Sequence, residues 1–282
     1  MNNLMISGST FFDLVLLNDN TLKENRNYHD TDITINIGGV FNIARQLILL
    51  KVKFDIKTIA YAPINKNNLL QIAYLPPKFD KYCNLKVDFD EKSSNLSLIL
   101  QGKSNKGRTS FNSNKFDSWE YKQKSSFYKC HHISYLDYLS NYSENTLRSI
   151  KKETNFVSAD LCKNFSSKSE KAELIRKLYL IDLLVISDAE FKNYFGDSKA
   201  FIDLRAKFKV FPKVVVHFSD KVVIYLQSDT LKLQGVNYAG KNTLGMGDTF
   251  VAYFYKNFLK SNDIYQSAKF AFLNCQKIVK SL

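Results

Sequence analysis

The stretch Lys241-Asn-Thr-Leu-Gly-Met-Gly-Asp-Thr-Phe250 decides how this chain is read. Beyond it, Phe250, Val251, Phe254 and Phe258 recur at helical spacing, so a helix starts within the segment. Gly245 and Gly247 let the backbone turn sharply just before that helix, with N–H groups aimed at one spot. A helix N-terminus offers unpaired amides and the positive end of a dipole, which together suit an anion. Asp248 falls in the first turn, so its carboxylate faces the same spot. Phosphoryl transfer needs donors for the charge developing on the moving group and a base that orients the attacking hydroxyl. Taken alone, G-x-G-D is equally a plain turn with Asp as a helix N-terminal residue. The rest of the chain has to arbitrate.

The chain has only 10 glycines in 282 residues, about half the usual share of roughly 7%. Four of the ten stand in two groups, Gly38–Gly39 and Gly245 with Gly247, and each group opens a predicted helix. Around them, short apolar runs alternate with amphipathic stretches. Strands are predicted at 4–8, 10–17, 33–37, 56–60, 96–100, 108–111, 127–133, 155–160, 183–187, 213–218, 222–227 and 231–236. Helices are predicted at 39–50, 144–152 and 169–179, with two more closing the chain. Strand–helix alternation from residue 127 onward predicts a parallel sheet covered on both faces. The hairpin-rich first third predicts a small separate β-structure. One domain over 1–282 is expected, with a β-lid from about 10–37 and 96–113 over the mouth of the site.

Hydrophobic content of 45% supports a sizeable core, and the formal net charge is +13. The basic residues are scattered among Asn and Ser. No helix-turn-helix, zinc-finger or RNP-like aromatic motif accompanies them, so nucleic acid is not an expected partner. Cys83, Cys130, Cys162 and Cys275 lie far apart without metal-ligand spacing, as in a reduced cytoplasmic protein. His131 and His132 are adjacent, and neighbours on a strand point to opposite faces, which argues against a zinc pair. No signal-peptide pattern and no run of 18 apolar residues occur, so neither export nor a membrane span is expected.

The segment around Gly245 resembles the second signature of the ribokinase-like phosphofructokinase B family, D-T-x-G-A-G-D, through Asn242, Thr243, Gly245, Met246, Gly247 and Asp248. The resemblance implies a three-layer α/β/α sandwich with a small β-sheet lid, and an ATP- and Mg2+-dependent kinase acting on a sugar-like small molecule. Asp248 would be the catalytic base, and the amides of Gly245, Met246 and Gly247 the anion hole. Gly38-Gly-Val-Phe-Asn-Ile-Ala44 resembles the first signature, one residue shortened, and would place Gly39 and Asn42 beside the substrate. Asp13 matches an acidic residue that binds substrate hydroxyls, and Arg108, on the predicted lid hairpin, is a further substrate-binding candidate. Ile181–Glu190 resembles the strand leading into N-x-x-E, whose acid, Glu190, would act near the metal through water. Val214–Lys221 is similar to the nucleotide-side segment V-T-x-G-x-x-G. Ser219 and Lys221, with Asn242 and Gly247, would therefore meet ATP. Pairing through the lid would give a homodimer.

Four departures stand out. Asn242 replaces an Asp tied to a monovalent cation, and Met246 replaces a small residue. Ser187 replaces the Asn of N-x-x-E, and Ser219 replaces a Gly. Ser187 and the Ser158-Ala-Asp160 strand end resemble the fructoselysine kinase branch, which phosphorylates glycated amino acids. Two other outcomes stay open: a nucleoside kinase of the same fold, and a non-catalytic homologue that binds a ligand without turnover.

Overall fold

Runs such as Leu183–Ile186 and Val214–Val216 lack polar alternation, the mark of strands buried on both faces. The computed structural model describes residues 3–18, 32–102, 108–115, 120–122, 127–138, 142–163, 166–237 and 245–281; at 17, 18, 32, 95, 101, 102 and 108–115 it describes the backbone alone. In chain order the strands are β1 (Leu4–Ser9), β2 (Phe12–Asn18), β3 (Asp32–Ile37), β4 (Phe54–Ala62), β5 (Cys83–Gly102), β6 (Arg108–Lys115), β7 (Tyr128–Ser134), β8 (Thr154–Ala159), β9 (Leu183–Ser187), β10 (Lys213–His217), β11 (Lys221–Tyr225) and β12 (Thr230–Gln234). The helices are α1 (Val40–Leu49), α2 (Leu69–Ala73), α3 (Glu144–Lys152), α4 (Lys168–Lys177), α5 (Asp188–Phe195), α6 (Ser198–Arg205), α7 (Met246–Ser261) and α8 (Ile264–Ser281).

All these strands join one sheet in the order β12-β11-β10-β9-β8-β7-β1-β4-β5-β2-β3, with β6 on β5. From β10 through β1 to β4 and the start of β5 the pairing is parallel. Side chains therefore alternate between two cores. Leu183, Val185 and Val215 pack with α1, α7 and α8, whereas Leu184, Ile186, Val214 and Val216 pack with α3 to α6. Helices cover both faces of the parallel sheet, giving three layers.

The strand pattern predicts β2, β3 and the 96–113 hairpin as a sheet set apart. In the structure they are continuous with the main sheet, because β5 is a single strand of 20 residues. Its first half pairs with β4 and its second half with β2 and β6, past a register shift at Tyr61/Ala62. The alternation Leu85-x-Val87-x-Phe89 packs on the core and carries the strand through a charged stretch that reads as loop.

Of the three helices unforeseen in the sequence, α2, α5 and α6, the last two begin at good caps. Ser187 Oγ accepts from the Glu190 N–H while Glu190 accepts from the Ser187 N–H, and Asp197 accepts from the Ala200 N–H. No helix among the described residues is long and apolar enough to cross a membrane.

The strand order fixes where a ligand can sit. From β1 the chain builds outward through β4 and β5 on one side, then returns beside β1 with β7 and builds outward on the other. In open α/β sheets the crevice at such a reversal, outside the carboxyl ends of the strands, is the binding position.

Candidate active site

A cavity of about 810 Å³ opens there, within the ordinary size of a small-molecule site. Its floor is made by strand ends and the loops after them: Tyr135 after β7, Asp160 and Cys162 after β8, Ser187 to Glu190 after β9, and His217 to Ser219 at β10. One wall is the N-terminus of α7 with Gly245, Met246, Gly247 and Asp248. Asp13, Val15, Asn36, Ser97 and Ile99 of the β2/β3/β5 extension form another.

Gly245 is the N-cap of α7 and sits at φ 75°, a conformation side chains resist. The first amide to close an i→i−4 bond is that of Thr249, at 2.9 Å from the Gly245 carbonyl. The amides at 245 to 248 thus belong to the unpaired first turn, on the cavity wall. Gly39 repeats the device at α1: it is the N-cap at φ 66°, and a Cβ there would run into the Ser9 carbonyl. This close approach brings the first two turns of α1, with Asn42 and Arg45, against the cavity.

Asn42 does more than line the cavity. Its Oδ1 accepts from the Arg45 guanidinium, which also donates to the carbonyls of Ala73 (2.8 Å) and Ile37 (2.9 Å). With its oxygen so engaged, the Asn42 amide turns its N–H₂ group to the Asp248 carboxylate, which it hydrogen-bonds. Burial, and after it the nearby Asp160 charge, push the Asp248 carboxyl up to about 8, against the Asn42 bond and Arg45, with Asp13 a further upward influence. The group therefore titrates near neutrality, where a general base is effective.

Asp13 lies across the cavity, its carboxylate packed on Gly38, where an added Cβ would meet Asp13 Oδ2 and displace it. Glu190 also lines the cavity, and burial raises it to about 8 despite its bond to the Ser187 N–H. Ser187 caps the helix that carries Glu190. Ser219 lines the cavity, with its carbonyl held by Gln276 of α8 at 3.2 Å. Lys221 is not brought to the cavity wall; its Nζ lies 4.6 Å over the Phe218 ring. Arg108 opens β6 opposite Gln101, and its side chain, like all of Asn242, lies outside the described residues.

Spacing alone missed three cavity residues. Asp160, at the mouth of β8, accepts from the Tyr135 N–H at 2.5 Å and lies 3.2 Å from His132 Nε2. Arg45 lies one turn beyond Asn42. His217 ends β10. The available signal was a polar residue closing an apolar strand, as in Val157–Asp160 and Val214–His217.

No family model matches the sequence, and no curated protein matches it. Solved structures do match over almost the whole chain. A microbiome-derived acarbose kinase superposes with a TM-score of 0.71 at 17% identity, covering 98% of this chain and 92% of its own. The fold is ribokinase-like. The nucleoside kinase of Methanocaldococcus jannaschii, an archaeal member of the ribokinase family, gives 0.67 at 16% identity, over 99% of this chain and 92% of its own. A pyrophosphate-dependent kinase in the ribokinase family gives 0.66 at 15% identity, over 95% and 92%. These structural neighbours are kinases of small molecules. Within this ribokinase-like fold, the extension carrying Asp13 and the α7 N-terminus carrying Asp248 close on the same cavity.

Proposed function

We propose that this chain is a kinase that moves the terminal phosphoryl group of ATP to a hydroxyl of a sugar or sugar-like molecule, with Asp248 as base. The carrying observation is the juxtaposition of the Asp248 carboxylate with the unpaired amides of its own helix turn, in a cavity with a polar wall opposite. Asp13, Asn36 and Ser97 supply acceptors and donors for hydroxyls on that wall. Asp248 takes the proton of the attacking hydroxyl while the amides of Gly245, Met246 and Gly247 receive the charge on the transferred group. At the other end, Phe218, Phe272, Cys275 and Val279 make an apolar slot suited to a nucleobase.

Among the described residues no group of three or more His, Cys, Asp or Glu side chains could hold a metal ion. Mg2+ keeps several waters and binds through one or two carboxylates plus substrate phosphates. Asp160 and Glu190 line the cavity together and would hold the ion, directly or through water. When bound it supplies charge neutralisation for the phosphates.

Acceptor-dependent ADP release, screened over sugars, glycated amino acids and nucleosides, tests the function. A polyol that stimulates release in wild type is expected. Saturable ATP binding must accompany it, and an ATP titration without affinity would refute the ATP-dependent reading.

The β2/β3/β5 extension has an inverted polarity. Register puts Leu14 opposite Ile35 and Leu98, and Leu16 opposite Ile33 and Leu100, on the face away from the cavity. Ile33 and Ile35 are 63% and 44% exposed on the edge strand β3. Polar residues face in because the cavity does, which leaves an apolar outer face. A second copy of this chain is the occupant we assign to it, through edge or face pairing. Sedimentation is expected to give twice the chain mass for wild type, and a monomer for Ile33→Lys/Ile35→Lys. A wild type that stays monomeric at tens of micromolar refutes the assignment.

A further inference from the structure

We propose that a buried hydrogen-bond chain, running from Tyr255 of α7 through Ser158 to His132, holds the Asp160 carboxylate in its place on the cavity floor, with His132 as the positioning residue. The chain is read from geometry, and its bearing on catalysis rests on the kinase reading. Parallel pairing of β7 and β8 sets His132 directly opposite Ser158. Asp160 follows two residues on, at the mouth of β8, so its side chain leaves on the same face as Ser158. The imidazole spans the two: Nδ1 lies 2.8 Å from Ser158 Oγ, and Nε2 lies 3.2 Å from Asp160 Oδ2. Behind Ser158 stands the Tyr255 hydroxyl, hydrogen-bonded to the same Oγ. The Tyr255 ring meets the imidazole edge-on, with centroids 5.5 Å apart. His132 and Ser158 are fully buried, as is Tyr255.

Polar side chains inside a sheet are costly unless each is bonded, and here every link is made. A carboxylate only accepts, so Nε2 carries a hydrogen; the two hydroxyls both donate and accept, and satisfy the other nitrogen. The chain surfaces at one point, Asp160, which lines the cavity. There the carboxylate gathers two more donors, Ser134 Oγ on Oδ2 at 3.3 Å and the Tyr135 N–H on Oδ1. Tyr135 also lines the cavity, at φ 65°, a left-handed conformation that side chains resist and that the bond to Asp160 supports. At the other end, Tyr255 comes seven positions after Asp248, about two turns along the same face of α7. The chain therefore braces the helix that carries Asp248 against the strand end that carries Asp160. The two acids feel each other: after burial, the Asp160 charge is the largest influence raising the Asp248 carboxyl. A displaced Asp160 changes the field at the proposed base.

The test uses the full chain with isotope-labelled histidine, read by NMR, alongside steady-state kinetics. His132 is identified as the ring signal that disappears in His132→Gln. Its Nε2–H is expected as a downfield proton that exchanges with water far more slowly than that of an exposed imidazole. That signal should move in Asp160→Asn, which removes the charge at one end of the chain, and in Tyr255→Phe, which removes the hydroxyl at the other. In turnover, His132→Leu should lower kcat roughly 10- to 100-fold, the scale of a group shifted by about 1 Å, and leave both KM values nearly unchanged. His132→Gln, whose amide N–H stands in for Nε2–H, should recover most of that loss, which a ring that only fills space would not allow. If His132→Leu fails to melt cooperatively, Tyr255→Phe takes over the kinetic test, with an expected loss in kcat of about threefold. A signal that is absent, or that Asp160→Asn leaves in place, overturns the proposal. So do equal losses in the Leu and Gln variants, or wild-type kcat in the variant that carries the kinetic test. If wild type shows no acceptor-dependent ADP release, the kinase reading fails, and the spectra alone decide whether the chain holds Asp160.

Discussion

Asp248→Asn is expected to lower turnover by roughly 100- to 10,000-fold, the usual worth of a positioned general base, while ATP affinity and fold survive. Asn is tolerated in the first turn of a helix, and its side chain fills nearly the same volume. It still accepts from the Asn42 amide but takes no proton from a hydroxyl. The stability of the pair carries its own signature. The folded-state carboxyl of Asp248 is raised from 3.8 to about 8, so the folded protein holds its proton more tightly than the unfolded chain does. Stability from this group is therefore fully present below 3.8, is lost progressively as pH rises from there to about 8, and changes no further above that. Asn mimics the protonated form and removes that dependence. Melts should coincide below about pH 4 and favour the variant at pH 9. A variant that retains more than about a tenth of wild-type turnover, far above the loss a missing base causes, shows that Asp248 is not the base.

The second large effect is expected at Arg45, a residue that touches no reacting atom on the kinase reading. For wild type, kcat/KM should climb with pH and level off above about 8, the titration of Asp248 in the free enzyme. Arg45 holds that value down by its charge and by fixing the Asn42 amide. Arg45→Met should push the rising limb to higher pH. Each unit of displacement costs about tenfold in kcat/KM at pH 7 and little at pH 10. The carbonyls of Ile37 and Ala73 also lose their donor, which costs about 1–3 kcal/mol where water does not replace it. Arg45→Lys restores the charge but not the three-way fork, so it should correct the pH profile more than the melt. Profiles of wild type and Arg45→Met that superimpose after scaling would show that Arg45 acts on packing alone.

How much of this was legible in the sequence follows the range of each interaction. Gly245, Gly247 and Asp248 are neighbours, so turn, amides and carboxylate could be read from spacing. Asn42 was legible as a cavity residue, but its link between Arg45 and Asp248 was not, because that bond joins helices about two hundred residues apart in the chain. Asp160 and His217 were visible only as polar ends of apolar strands. Their convergence depends on parallel pairing from β7 to β10, which no local pattern encodes. Ser187 shows the opposite failure. Compared with a motif, it was a missing Asn; in the structure it caps α5, a helix the same residues announce by their capping box. The long β5 was hidden because Asp90 to Ser94 is too polar to read as strand, although Leu85, Val87 and Phe89 alternate before it.

The 20-residue strand β5 also has a consequence for the order of assembly. Its two halves bond to opposite parts of the molecule: β4, which anchors on β1, and β2, which carries Asp13. The cavity wall that holds Asp13 can therefore form only after a strand more than eighty residues downstream has been laid beside it. Loops of that length close slowly, and their entropy is spent before any contact rewards it. On a ribosome, Asp13 would be made early and wait for its neighbours. The half of the cavity that faces the acceptor is thus a late product of folding, and a chain released before β5 emerges has no such wall at all.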